Sequence, residues 1–445
     1  MSQHDFTRGN LWEQMVRFST PILLTNLLQV SYQFIDSLWV GNLLGANALG
    51  AVSVSGAVIF TILSFIIGVN NAALTILSQQ KGKADNAGLK NYLNAFVVIL
   101  TILSVLLGVL GYIFSEWILV FLGTPDAMIS SAKAFLEISF IGIIFLFGYN
   151  FIATILRSVG DSKTPLIFVF LSVVLNTVLV PVFIIYFGMG IQGAALATVI
   201  SQGAAFLFGL TLIIKRKVVP FAIPYLPKKE EIALIFKLGI PSGLQMTVIS
   251  AGVMAIMSVV NSFGEDVVAG FGAAQRIDSL IMLPAMALST AVNSMAGQNI
   301  GAGRWDRVHK IAIYGVLYNL SIMVTIAVVI FLFSELGIGL FVQEQAAREF
   351  GGQYLRIVAF FYPFLGINFI LNGIVRSSGA MFQILVLNII SFWVLRYPLT
   401  YLFSEKLGEA GIGLGMGTAF VIGSLTSYLY YRYGKWKKEL LPGKE

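Results

Sequence analysis

The chain has 445 residues, 57% of them hydrophobic and only 11% charged, with a net charge of +7, two histidines and no cysteine. No soluble globular class has that balance, and without cysteine there are no disulfides and no thiolate metal sites. The basic excess does not point to nucleic acid either, because the positions of the charges account for it.

Residues 1–14 read as a short polar lead-in containing His4, expected to be solvated and cytoplasmic. Apolar segments follow at 15–40, 50–79, 90–115, 129–157, 163–187, 191–214, 235–262, 267–298, 308–334, 351–375, 380–404 and 411–433. Each is long enough as a helix to cross a hydrocarbon core, which takes roughly 20 residues. Continuous runs such as Val97 to Leu110 exclude a β-barrel, whose strands alternate. The expectation is an all-α polytopic membrane protein with twelve transmembrane helices.

The first segment carries the most informative residue. Asp36 is a lone carboxylate in an apolar run, and an ionised acid at that depth costs on the order of 2.5 kcal/mol or more. Asn26, Gln29, Gln33 and Asp36 follow at steps of three, four and three, which puts them on one helical face. Asp36 is therefore the leading candidate for a functional charge, while Asn26 and Gln29 read first as interhelical hydrogen-bonding residues.

Of the 28 Lys and Arg, 22 fall at the termini or in the even-numbered loops, whereas the odd-numbered loops carry acids such as Glu116, Asp126, Glu265 and Asp266. By the positive-inside rule both termini are cytoplasmic. The opening of the first segment at Pro21 returns at Pro241, and Leu156-Arg157-Ser158-Val159-Gly160 returns as Val375-Arg376-Ser377-Ser378-Gly379, an internal repeat offset by about 220. Two six-helix lobes follow, 15–214 and 235–433, in the parallel-repeat arrangement of many secondary transporters. The cationic, proline-bearing stretch 215–234 joins them, and 434–445 is a cytoplasmic tail.

No nucleotide-binding loop, zinc-hydrolase motif or nucleophile elbow is present, so an enzyme or ATP-driven pump is not expected. Gly297-Gln298-Asn299-Ile300-Gly301-Ala302-Gly303 reads as a tight turn after the eighth segment rather than a phosphate loop. Arg276 and Asp278, two apart near the start of that segment, do not face each other on a helix and are expected to pair with other helices, in a gating or structural role or, equally, in coupling. Met254, Met257, Met282 and Met286 offer a soft surface suited to varied ligands, although methionine at helical spacing is more often core. Glu137 and Arg396 are the other charges expected within the span.

These residues together resemble the multidrug and toxic compound extrusion (MATE) family of cation-coupled exporters. The motifs are Pro21 with Phe34-Ile35-Asp36-Ser37-Leu38-Trp39-Val40-Gly41, Leu156 to Asp161, Ala274-Gln275-Arg276-Ile277-Asp278 with Leu283-Pro284, and Gly297 to Gly303. The resemblance implies two lobes in a V around a central cleft, and export of amphipathic, mostly cationic compounds by alternating access. It also implies a coupling site in the first lobe, where Asp36, Asn176 and Thr198 match the family pattern. The cleft is then assigned Gln29, Tyr32, Gln33 and Asn150 with the four methionines, and Pro21 a bending role.

Many relatives have a second acid before the proline of the fifth segment, where this chain has Val180 before Pro181. A hard cation wants several oxygens, so the proton is the expected coupling ion and sodium the alternative. No metal or organic cofactor is expected. Small amphipathic cations and the bilayer are the expected partners, the protein a monomer in the cytoplasmic (inner) membrane. A flippase for a lipid-linked precursor is the rival of another class, and it would need a cleft more basic than Arg276 and Arg396 provide.

Overall fold

The computed structural model describes residues 5–220 and 223–437; His4 and the tail beyond 437 lie outside them. All regular structure there is helical: α1 (Leu11–Leu44), α2 (Ala46–Gly82), α3 (Asn86–Phe121), α4 (Asp126–Ile141), α5 (Ile143–Ser158), α6 (Lys163–Pro181) and α7 (Gly190–Arg216) in the first half, then α8 (Lys229–Val260), α9 (Glu265–Gly301), α10 (Trp305–Ile338), α11 (Gln345–Ala359), α12 (Tyr362–Arg376), α13 (Met381–Ile389), α14 (Tyr397–Leu407) and α15 (Ala410–Tyr433).

Among the described residues nine helices are long and apolar enough to span a membrane, and eleven spans result if each of two bent pairs counts as one. The twelfth is α1, whose stripe of Asn26, Gln29, Gln33 and Asp36 depresses its hydropathy. The expected segments 129–157 and 351–375 are not continuous helices. They are α4 with α5, bent by 52°, and α11 with α12, bent by 54°. At the first break, a side chain on Gly142 would collide with Val199 of α7, so glycine permits the close approach. Pro363 starts α12 at a position where its missing N–H costs nothing.

Two further departures have proline as neighbour. The backbone widens into π-turns at Val182–Tyr186 after Pro181 and at Ile390–Arg396 before Pro398, since proline removes a donor from the ladder. Gly45 and Gly264, opening α2 and α9, have φ of +85° and +98°, a conformation that glycine adopts without strain.

The chain folds as two compact units, one of Thr20–Gly239 and one joining Phe6–Ser19 to Ile240 onward. The boundaries fall inside α1 and α8, one residue before Pro21 and one before Pro241. Residues 5–14 are therefore not a free lead-in: α1 starts at Leu11, and Phe6, Met15 and Phe18 are fully buried in the second unit.

The Gly297 to Gly303 motif explains why. Its first part still belongs to α9, the turn being confined to Ala302 and Gly303, and its amides bind the N-terminal segment. Asn299 donates to the Phe6 carbonyl (3.0 Å), the Phe6 N–H donates to Gln298 (3.3 Å), and Arg307 donates to the carbonyls of Phe6 (2.9 Å) and Gly9 (3.2 Å). In the first unit Asn94 does the same for the linker, pairing with both the carbonyl (2.8 Å) and N–H (2.9 Å) of Tyr225.

Candidate functional site

In the first unit an apolar cluster fixes the register of three helices. Val40 of α1, Val180 of α6 and Ala194, Ala195 and Ala197 of α7 pack together, with Val40, Val180 and the alanines essentially inaccessible. One helical turn from that layer come Asp36, Asn176 and Thr198. Because α1 and α6 run in one direction and α7 in the other, the steps from 40 to 36, 180 to 176 and 194 to 198 lead the same way. The register therefore brings three polar side chains to one level beneath an apolar lid.

Asp36 is 8% exposed and Asn176 fully buried. Asn176 Nδ2 donates to Thr198 Oγ1 (3.2 Å), which itself donates to the Ala194 carbonyl (3.1 Å). Tyr32, one turn back along α1, brings its hydroxyl close to both Thr198 and Asp36. Yet Asp36 Oδ1 and Asn176 Oδ1 are buried without any hydrogen-bond partner. A buried polar atom left unpaired is destabilising, so two of them side by side mark a place built for something that binds or for a proton that comes and goes. Val180 fills the position where a second acid would sit, and it is apolar and fully buried.

The polar line continues down α1. Gln29 Nε2 donates to Tyr149 OH (3.5 Å), and Tyr149 is close in turn to Tyr32. Gln33 is exposed and Asn150 half-buried, its amide donating to its own helix at Leu146 (2.8 Å). Tyr149 was not singled out from the sequence, since a tyrosine in an apolar helix carries no distinguishing pattern.

The second unit holds its own polar centre. Arg276 and Asp278 lie three turns into α9 rather than at its opening, on different faces: Arg276 is exposed beside the Phe341 ring (5.6 Å), whereas Asp278 is buried. Asp278 accepts from Tyr362 and from Tyr354 (3.2 Å), two tyrosines on either side of the α11–α12 bend. Neither was recognisable beforehand. Glu137 stands 4.0 Å from Lys133. Met257 and Met282 pack against the core of the second unit, Met286 is half-buried and Met254 is 75% exposed.

Two six-span repeats, each with a buried acid among polar helix faces, define a multi-pass membrane protein of internally duplicated design. The chain belongs to the MatE family, whose sequence pattern matches residues 21–182 and again 241–402, two stretches starting 220 residues apart. The probable multidrug resistance protein YpnP of Bacillus subtilis (strain 168) is 62% identical over 98% of both chains. YoeA of the same organism, also a probable multidrug resistance protein, is 33% identical over 97% of this chain and 96% of its own. The fold matches that of the Vibrio cholerae MATE transporter VcmN in its bent form with a TM-score of 0.91, at 21% identity over 95% of this chain and 96% of that one.

Proposed function

We propose that this protein is a secondary active antiporter of the cytoplasmic membrane, both termini inside, that exports amphipathic, mostly cationic compounds in exchange for inward protons. The observation that carries the reading is the unpartnered pair of Asp36 Oδ1 and Asn176 Oδ1, buried one helical turn from the apolar layer of Val40 and Val180. The names of the relatives as multidrug resistance proteins support the export of drugs.

Deprotonated Asp36 is an uncompensated negative charge that attracts a cationic ligand. Protonation from outside removes the charge, turns the carboxyl into a hydrogen-bond donor, and so weakens the hold on the cation. Deprotonation toward the cytoplasm restores the binding form, with Tyr32, Tyr149 and Gln29 as polar stations on that side. Each proton entering draws about 2.3 kcal/mol from every 100 mV of membrane potential. Pro21 and Pro241, next to the unit boundaries within α1 and α8, each remove one donor from the helix ladder and would let these helices bend during the cycle. Val180 in place of an acid disfavours sodium, which needs more oxygen ligands than one carboxylate provides.

The test is ethidium binding to the purified protein across pH. Affinity is expected to be high when Asp36 is ionised, above its protonation midpoint, and to fall as pH drops through it. Asp36→Asn should bind weakly and without that pH step. An unchanged step in the variant would overturn the assignment.

A further inference from the structure

The second unit contains a small, partly open cavity whose chemistry is opposite to that of the Asp36 site. Arg396 lines it, 2% exposed. Its nearest acid, Asp278, already has its oxygens engaged by Tyr354 and Tyr362, and no carboxylate is within ion-pairing distance of Arg396 among the described residues. Arg396 reaches only the weak acceptor Met416 Sδ, at 3.8 Å, and the faces of Phe392 and Phe420, each with its ring centre 5.4 Å away. Nε and Nη1 are buried and have no partner. A guanidinium stays charged under all ordinary conditions, so these are two permanent, unsatisfied donors of the planar fork that matches a carboxylate or phosphate.

The rest of the wall suits the same guest. Gln245, Asn368, Asn372, Asn388 and Ser391 give neutral amide and hydroxyl groups without adding negative charge, and all are buried. Ile249, Leu365, Phe369, Phe392 and Phe420 form an apolar part. The π-turn at Ile390–Arg396 turns Ser391, Phe392 and Arg396 to the same cavity, and such turns recur at functional sites. A charged donor fork and neutral amides set beside an apolar wall are the elements of a site for an amphipath.

We infer that this cavity binds the anionic head of an amphipath, a carboxylate or phosphate on Arg396 with an apolar body against the phenylalanines. The site is independent of the Asp36 cycle and stands whether or not that residue carries protons. It extends the ligands the protein can hold to anionic and zwitterionic amphipaths, whether soluble compounds or lipids.

The experiment compares three probes of one shape, pyrenebutyrate, pyrenebutanol and pyrenebutylamine, binding to the full chain in phosphatidylcholine nanodiscs. The carboxylate should bind saturably and about tenfold or more tighter than the alcohol, the amine weakest, as expected for a charge-assisted hydrogen-bond pair. Arg396→Gln should remove that preference, Arg396→Lys retain part of it, and Arg276→Gln, outside the cavity, leave it unchanged. Equal binding of carboxylate and alcohol by the wild type overturns the inference without reliance on any variant, and so does an Arg396→Gln protein that melts like wild type and keeps the preference. Adding phosphatidylglycerol identifies the source of the anion: competition with pyrenebutyrate points to a lipid head group, its absence to a soluble amphipath.

Discussion

Tyr362→Phe tests the buried centre of the second unit. Tyr362 is 1% exposed, so the ring remains packed when the hydroxyl is removed, and the change isolates one hydrogen bond to Asp278 Oδ1. Hydrogen bonds to charged groups contribute about 1.5–3 kcal/mol, and among the described residues Tyr362 is the donor recorded on Asp278 Oδ1. For a unit of about 150–250 residues each kcal/mol moves the melting midpoint by roughly 2–4 °C, so a fall of about 3–12 °C is expected. Tyr354→Phe should cost less, because its bond is 3.2 Å long and its hydroxyl also reaches Met416 Sδ at 3.3 Å. The assay is thermal unfolding of purified protein in detergent, run as a double-mutant cycle with Asp278→Asn. A coupling of at least about 1 kcal/mol between Tyr362 and Asp278 is expected. If Tyr362→Phe melts with wild type, or costs the same with and without Asp278, the carboxylate is not held as described.

Arg307→Ala removes the donors to Phe6 and Gly9, so the amides of residues 6–9 should lose hydrogen-exchange protection with a destabilisation of about 1–3 kcal/mol. Gly417→Ala places a methyl group into the Phe361 ring and should cost about 1–3 kcal/mol. Gly272→Ala, in open space within α9, should be neutral or stabilising by up to about 1 kcal/mol in the same melting assay. Asn176→Ala loses its bond to Thr198, about 1 kcal/mol of stability, and should shift the pH midpoint of ethidium binding; an unmoved midpoint would separate Asn176 from the Asp36 site.

Asp36 was legible in the sequence because an acid in an apolar helix is expensive enough to need a reason. The repeat was legible from paired motifs such as Pro21 and Pro241, and the family pattern matches the chain twice at that offset. The bends at Gly142 and at Phe360 and Phe361 were not, since hydropathy averages over a break and the cause, Val199 against Gly142, lies on another helix. Tyr149, Tyr354 and Tyr362 escaped notice because tyrosine is ordinary in membrane helices, and its role is set by which acid or amide stands opposite. Arg396 was visible as a charge, but that its partners are two rings and a sulfur depends on packing alone.

The central claim is proton exchange through Asp36, and ethidium-driven proton movement in proteoliposomes, with and without sodium, tests it most directly. Flux with wild type should need no sodium and should be lost in Asp36→Asn. Flux that requires sodium, or that persists in the variant, would contradict it.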